Sequence, residues 1–303
     1  MQAIDCNGRL ALRARAKVNL FLRVFPGLEH GRHRLESLFA SISLADTIVL
    51  EVRPGAGITL LTEFDFDCPP EENLCVRAAE LYLARSGAPG GADLHLRKEI
   101  PTFSGLGGGS VDAAAVLFGL DSLHHGRLGP NGLRAVATEL GSDVPFCLDG
   151  GLALVRGTGD QLEPLDFSPS LHLLVVKPPC AVSTAWAYRA FDSFPDKSGE
   201  PDLSGLLDAL ARSDPAAVAE RLFNSFEPVV EAHFPPVRIA REQLLAHGAL
   251  GARLTGSGAA VYGIFAGERD CEEAAAVLGT RYPVWPCTLE PRGLVTDDAK
   301  GDD

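Results

Sequence analysis

Residues 105–117, GLGGGSVDAAAVL, place Gly105, Gly107, Gly108 and Gly109 directly before an apolar, alanine-rich segment. So many glycines cost backbone entropy, and some gain must offset that cost. A helix N-terminus presents unpaired amides and a partial positive charge. A loop without Cβ atoms lets an anion approach them closely. The combination reads as a phosphate cradle, with Ser110 as N-cap and Val111 and Asp112 in the first turn. Three other readings bear on the same residues. A Walker-type loop is excluded, because no lysine follows the glycines. Gly-x-Gly-x-x-Ser matches a dinucleotide fingerprint only weakly. A tight strand-to-helix turn with no ligand would use the same glycines.

Three further stretches carry polar groups on apolar scaffolding. In LGSDVPFCL (140–148), Asp143 precedes Pro145 by two residues, and Val144, Phe146, Cys147 and Leu148 make its surroundings apolar. Proline holds Val144 extended in this reading, and the partly desolvated carboxylate is a candidate general base. In ARAKVNLFLRV (14–24), Lys17 and Asn19 share one face of a strand with Arg13, Arg15 and Arg23. In LTGSGAAVYGIF (254–265), Gly256, Ser257 and Gly258 form a second glycine-rich turn inside apolar strands.

The elements that position these residues follow from periodicity. Leu10 to Val24 alternate apolar and polar, which predicts a strand, with a bend allowed within it. Further strands are expected at 35–52, 57–64 and 92–98, with a helix over 72–87 and another after the glycine loop. Beyond residue 150 the pattern predicts strands in GLALVRG and LHLLVVKPP and a helix in VSTAWAYRAF. Helices at 203–212, 215–223 and 235–247 come next, then two strands around the second glycine turn, a helix at 269–279 and a strand near 283–288. Consecutive strands without intervening helices imply α+β architecture with mostly antiparallel sheets. The expected division is an N-terminal domain over 1–154, a C-terminal domain over 155–295 and a disordered acidic tail at 296–303.

At 303 residues, 46% hydrophobic and 22% charged, the chain has the composition of a soluble globular protein long enough for two cores. A net charge of −13 argues against nucleic-acid binding. Seven scattered cysteines without a C-x-x-C pair read as reduced thiols of a cytoplasmic protein. No apolar run approaches the ~18–20 residues a membrane helix needs.

Taken in order, AKVNLFLRV, LESLF, ENLCVRAAELY, GLGGGSVDAAAVL, LGSDVPFCL, VSTAWAY, NSFEPVV and LTGSGAAVYG resemble the GHMP kinase superfamily over residues 14 to 265. The resemblance implies a two-domain GHMP fold with its active site in the inter-domain cleft. Within the superfamily the set is most similar to members that phosphorylate the 2-hydroxyl of a cytidine diphosphate derivative of a methylated tetritol, in non-mevalonate isoprenoid synthesis. It implies ATP as phosphoryl donor, bound by Asn73, Lys98, Pro101, Gly105, Leu106, Gly107, Gly108, Gly109 and Ser110. Asp143 would take the proton of the attacking hydroxyl, with Lys17 beside it. Asn19, Arg32, His33, Tyr188, Gly256 and Ser257 would meet the acceptor. Arg32 stands where the family usually has a tyrosine stacked on cytosine, and a guanidinium plane can also stack on a base. Asp112 beside bound phosphate would require an intervening cation, so Mg2+ is expected to arrive with the nucleotide. Two alternatives stay open: another small-molecule GHMP kinase, such as homoserine kinase, and a silent nucleotide-binding regulator on the same fold. The expected state is a monomer or homodimer without nucleic-acid or membrane partners.

Overall fold

The alternating N-terminal segment forms one long strand, β1 (Arg9–Glu29), antiparallel to β2 (Arg32–Arg53) along most of its length. The computed structural model describes residues 8–29, 31–66, 68–166, 169–194 and 201–297. After this hairpin come β3 (Ile58–Leu61), α1 (Leu74–Ser86) and β4 (Gly91–Arg97). The glycine loop leads to α2 (Gly108–Leu123), α3 (Gly129–Leu140) and α4 (Val144–Asp149), then β5 (Leu152–Arg156) and β6 (Gln161–Pro164). The later chain supplies β7 (His172–Val176), α5 (Thr184–Ser193), α6 (Leu203–Ala211), α7 (Pro215–Arg221), β8 (Phe223–Asn224), α8 (Glu227–His233) and α9 (Pro235–Ala246). It closes with β9 (Gly251–Leu254), β10 (Val261–Phe265), α10 (Glu268–Leu278), β11 (Val284–Thr288) and β12 (Leu294–Thr296).

One sheet runs β12-β1-β2-β4-β3, with β5 on β2, β6 on β5 and β8 on β1; the other runs β11-β7-β10-β9 and is antiparallel throughout. Strand alternation makes β7 the hinge of the packing. Leu173 and Val175 join the core beneath the large sheet, while Leu174 and Val176 join the core under α5, α8, α9 and α10. β10 does the same, with Tyr262 and Ile264 on one side and Val261 and Phe265 on the other, and β1 passes from the first core to the second at Leu22 and Val24.

Several expectations need correction. The 154/155 division falls inside β5, and β6, β8 and β12 all pair into the large sheet although they lie beyond it. Thr296, assigned to the tail, is paired with Leu12 in β12, and Asp297 N donates to Ala11 O at 2.9 Å; 298–303 lie outside the described residues. The helix after the loop begins at Gly108, inside the glycine run. Gly107 is its N-cap, and its carbonyl accepts from Ser110 N and Val111 N, each at 2.9 Å. Ser110 therefore sits in the first turn rather than capping it. Val144 is helical, not extended. Pro145 occupies the start of α4, where its missing amide costs nothing, and burial of Val144, Phe146 and Cys147 overrides the local bias. Helices α3, α4 and α8 were not anticipated. Lys17 and Asn19 do not share the exposure of Arg13 and Arg23. Register shifts between Arg15 and Lys17 and between Asn19 and Phe21 break the alternation, and both polar residues are buried.

Candidate active site

The polar motifs converge on one cavity of about 800 Å³ lined by the glycine loop, β1, the start of α4, the start of α5 and the second glycine turn. Lys17, only 4% exposed, is fixed from three sides. Its Nζ donates to Asn19 Oδ1 at 2.7 Å, lies 3.5 Å from Asp143 Oδ2 and sits 4.6 Å from the centre of the Phe39 ring. Asn19 is itself tied down: its Nδ2 donates to Ser37 Oγ at 2.9 Å and its amide to Thr255 Oγ1 at 3.2 Å. The Asp143 side chain stays 31% exposed at the cavity edge.

The glycine loop is laid against this cluster by its backbone. Lys17 N donates to Leu106 O at 3.0 Å. Gly107 has φ +75°, and a Cβ there would lie 3.1 Å from Lys17 Cγ. At Gly105, also at positive φ, a Cβ would run into the Thr255 carbonyl. Two further bonds stitch the loop to the second glycine turn: Ala259 N to Phe103 O at 3.0 Å and Ala260 N to Ser104 O at 3.1 Å. Gly108 and Gly109 open α2 and line the cavity, with amides that have no partner within the helix. Leu106 is buried and contributes its carbonyl rather than a wall.

Lys98 is not a free cavity lysine. Its ammonium bridges the buried carboxylates of Asp46 and Asp112, with 2.6 Å to Asp112 Oδ2. Asp46 Oδ1 also accepts from Glu99 N at 2.6 Å and Ile100 N at 2.8 Å. Burial works against the Lys98 charge, but the two carboxylates outweigh it and leave its pKa raised. Burial lifts Asp112 well above the ordinary carboxylate range, although Lys98 draws it back. Asp112 Oδ1 is buried without a hydrogen-bond partner. Asn73 caps α1, its Oδ1 accepting from Cys75 N at 2.9 Å, and lines the same end of the cavity with Pro101.

At the other end Tyr188 forms a wall, with Gly256 and Ser257 beside it. Ser257 Oγ is 3.0 Å from Thr184 Oγ1, which opens α5. Burial pushes the Tyr188 hydroxyl up to about 12, with the Asp143 carboxylate adding to it. The His33 ring stacks on Tyr188 at 5.2 Å and 17°. Its Nδ1 is 3.1 Å from Phe25 O and its Nε2 3.3 Å from Asp192 Oδ1. His33 thus stands behind the wall. Arg32 is exposed at the β1–β2 turn and is not among the lining residues. Burial pushes the thiols of Cys75 and Cys147 well up, so neither is primed as a nucleophile. Sequence reasoning missed Asp46, Ser37, Thr255 and Phe103. Only the glycine turns adjoining Thr255 and Phe103 gave a local signal.

Two lobes whose facing glycine turns enclose a lysine–aspartate pair match two family profiles: GHMP kinases N terminal domain over residues 73–151 and GHMP kinases C terminal over 206–284. The class is therefore the GHMP kinases. A 4-diphosphocytidyl-2-C-methyl-D-erythritol kinase of Pelotomaculum thermopropionicum is 45% identical, covering 87% of this chain and 91% of the relative. A crystal structure of 4-(cytidine 5'-diphospho)-2C-methyl-D-erythritol kinase superposes with a TM-score of 0.80 at 37% identity, over 92% of this chain and 99% of that one. A homoserine kinase of Cytophaga hutchinsonii shares the fold, with a TM-score of 0.76 at 19% identity over 98% of this chain and 100% of that one. The chain belongs to the 4-diphosphocytidyl-2-C-methyl-D-erythritol kinase family. No helix among the described residues is long and apolar enough to cross a membrane.

Proposed function

We propose that this protein transfers the γ-phosphate of ATP to the 2-hydroxyl of 4-diphosphocytidyl-2-C-methyl-D-erythritol, as a cytoplasmic enzyme of non-mevalonate isoprenoid synthesis. The observation that carries the reading is the Lys17–Asp143 pair, 3.5 Å apart, with the Lys17 stem against Gly107. Phosphoryl transfer asks little covalent chemistry of a protein and much positioning of charge. The amides of the loop and of the α2 N-terminus receive the triphosphate. Asp143, exposed toward the cavity, takes the hydroxyl proton. Lys17 holds that carboxylate in place and offsets charge that develops on the transferring group. Asn19 orients Lys17 through Oδ1, and with one N–H of Nδ2 given to Ser37 it has the second for the acceptor. Gly256, Ser257 and Tyr188 form the acceptor's wall, with His33 bracing Tyr188 from behind. Direct in-line transfer is the reading, and the buried Cys147 thiol beside the pair is a poor nucleophile.

Mg2+ belongs to this proposal through one atom. Among the described residues no cluster of three or more His, Cys, Asp or Glu is placed to hold a metal alone. Asp112 Oδ1, buried without a partner one turn into α2, suits an ion that keeps phosphate oxygens and water as its other ligands. Bound there, Mg2+ would neutralise charge on the terminal phosphates.

The test is ADP release with the cytidine substrate set beside homoserine and mevalonate. Turnover is expected with the first alone, and Asp143→Asn is expected to lower it by at least ~10²-fold with ATP binding retained. Preference for homoserine, or full turnover in the variant, would overturn the assignment.

A further inference from the structure

Phe103 is out of place by every local rule. It has φ +49°, in the left-handed region that a bulky side chain rarely adopts. Its ring is 58% exposed, and it lines the cavity two residues before Gly105. Core packing does not account for the side chain, because most of the residue is exposed. The backbone does not account for it either. The bonds from Ala259 N to Phe103 O and from Ala260 N to Ser104 O set the loop's path, and glycine would make both equally well. A strained residue with an apolar face open to a binding cavity serves what enters that cavity.

We propose that the Phe103 ring stacks on the nucleobase of the phosphoryl donor. The inference rests on the nucleotide reading above and assigns the base a contact that the phosphate loop cannot provide. A phenyl ring has no donor for phosphate, but its flat face matches a heterocycle. The Phe103 carbonyl reaches Ala259 of the second glycine turn, but the course of the chain and the neighbouring apolar rings favour the donor's base over the acceptor's. Phe103 lies in the segment running from the Lys98–Pro101 wall to the phosphate loop, and the exposed Phe64, paired with Phe66 at 5.0 Å, lines the same cavity. The acceptor end already has Tyr188 and Phe226.

The experiment measures thermal melting and calorimetric binding of ATP, tripolyphosphate and CDP to the full chain, Phe103→Gly and Phe103→Trp. Phe103→Gly is expected to melt no lower than the parent, because it removes strain. It should bind ATP roughly tenfold more weakly, the worth of one base–aromatic stack, with tripolyphosphate and CDP unchanged. Phe103→Trp should restore ATP affinity and show emission quenched by ATP beyond any change in the parent. Three results would overturn the proposal: unchanged ATP affinity in Phe103→Gly, equal weakening of ATP and tripolyphosphate, or weakening of CDP instead. A clearly lower melting point would overturn it too, by making the ring structural. Binding is read without turnover, so a parent that binds ATP yet phosphorylates nothing would fail the kinase reading and leave this one standing.

Discussion

Gly107 is the point where the loop backbone meets the Lys17 side chain. Alanine there must adopt a left-handed conformation, at a cost of about 1–2 kcal/mol, and its methyl would press on Lys17 Cγ from 3.1 Å. Lys17 cannot retreat, because Asn19, Asp143 and Phe39 surround its ammonium. Gly107→Ala is therefore expected to lower kcat by at least about tenfold, through roughly 1.4 kcal/mol of lost transition-state contact. Steady-state kinetics on folded protein check this, and a change confined to KM would contradict it. The residues of this cluster differ in how far the sequence reveals them. Lys17, Asp143 and the glycines sit in short motifs whose residue types carry the chemistry. Ser37, Thr255 and Asp46 act through contacts between distant segments, and nothing adjacent to them in the chain announces it. Arg32 is the opposite case: its place in a motif implies a contact with the acceptor, while the hairpin turn leaves it exposed outside the cavity lining.

Element by element, patterning was legible where one face meets water and obscure where both faces are covered. The β1 alternation holds through Ala16, lapses from Lys17 to Leu22 and returns at Arg23, because the two glycine turns pack against Lys17 and Asn19 where the pattern expects solvent. In α3, Leu133, Val136, Ala137 and Leu140 form a helical stripe that periodicity alone could have found. The short α4 offers no such run. The Asp46–Lys98–Asp112 triad couples β2, the end of β4 and the second turn of α2, and it sets a pH dependence. A carboxyl whose folded pKa is raised binds its proton more readily folded than unfolded. Its stabilisation is complete below the unfolded value, about 4, and is lost as pH climbs toward the folded value. Asp112→Asn cannot titrate. The parent's melting temperature, relative to that variant, is expected to fall as pH rises from about 4 toward neutrality. Thermal melts across that range decide the matter, and a gap that widens in the parent's favour would mean Asp112 is ionised throughout.

For the molecule as a whole, β12 matters more than its three residues suggest. It pairs with Leu12–Ala14 of β1, while Gly293 N donates to Asp149 O at 3.0 Å and Arg15 N to Gly293 O at 2.8 Å. These bonds clasp the end of α4, whose N-cap is Asp143. Ending the chain at Arg292 removes several of them, at about 1 kcal/mol each, and leaves an open edge on β1. The truncated protein is expected to melt roughly 5 °C lower and to lose turnover along with stability, as calorimetry and a coupled ADP assay would reveal. That return stroke also dictates an order of events on the ribosome. β1 emerges long before its outer partner β12, so all the chain between them must be made before that edge of the large sheet can pair. A nascent chain stalled short of Gly293 would expose an unpaired strand margin, and such margins recruit one another.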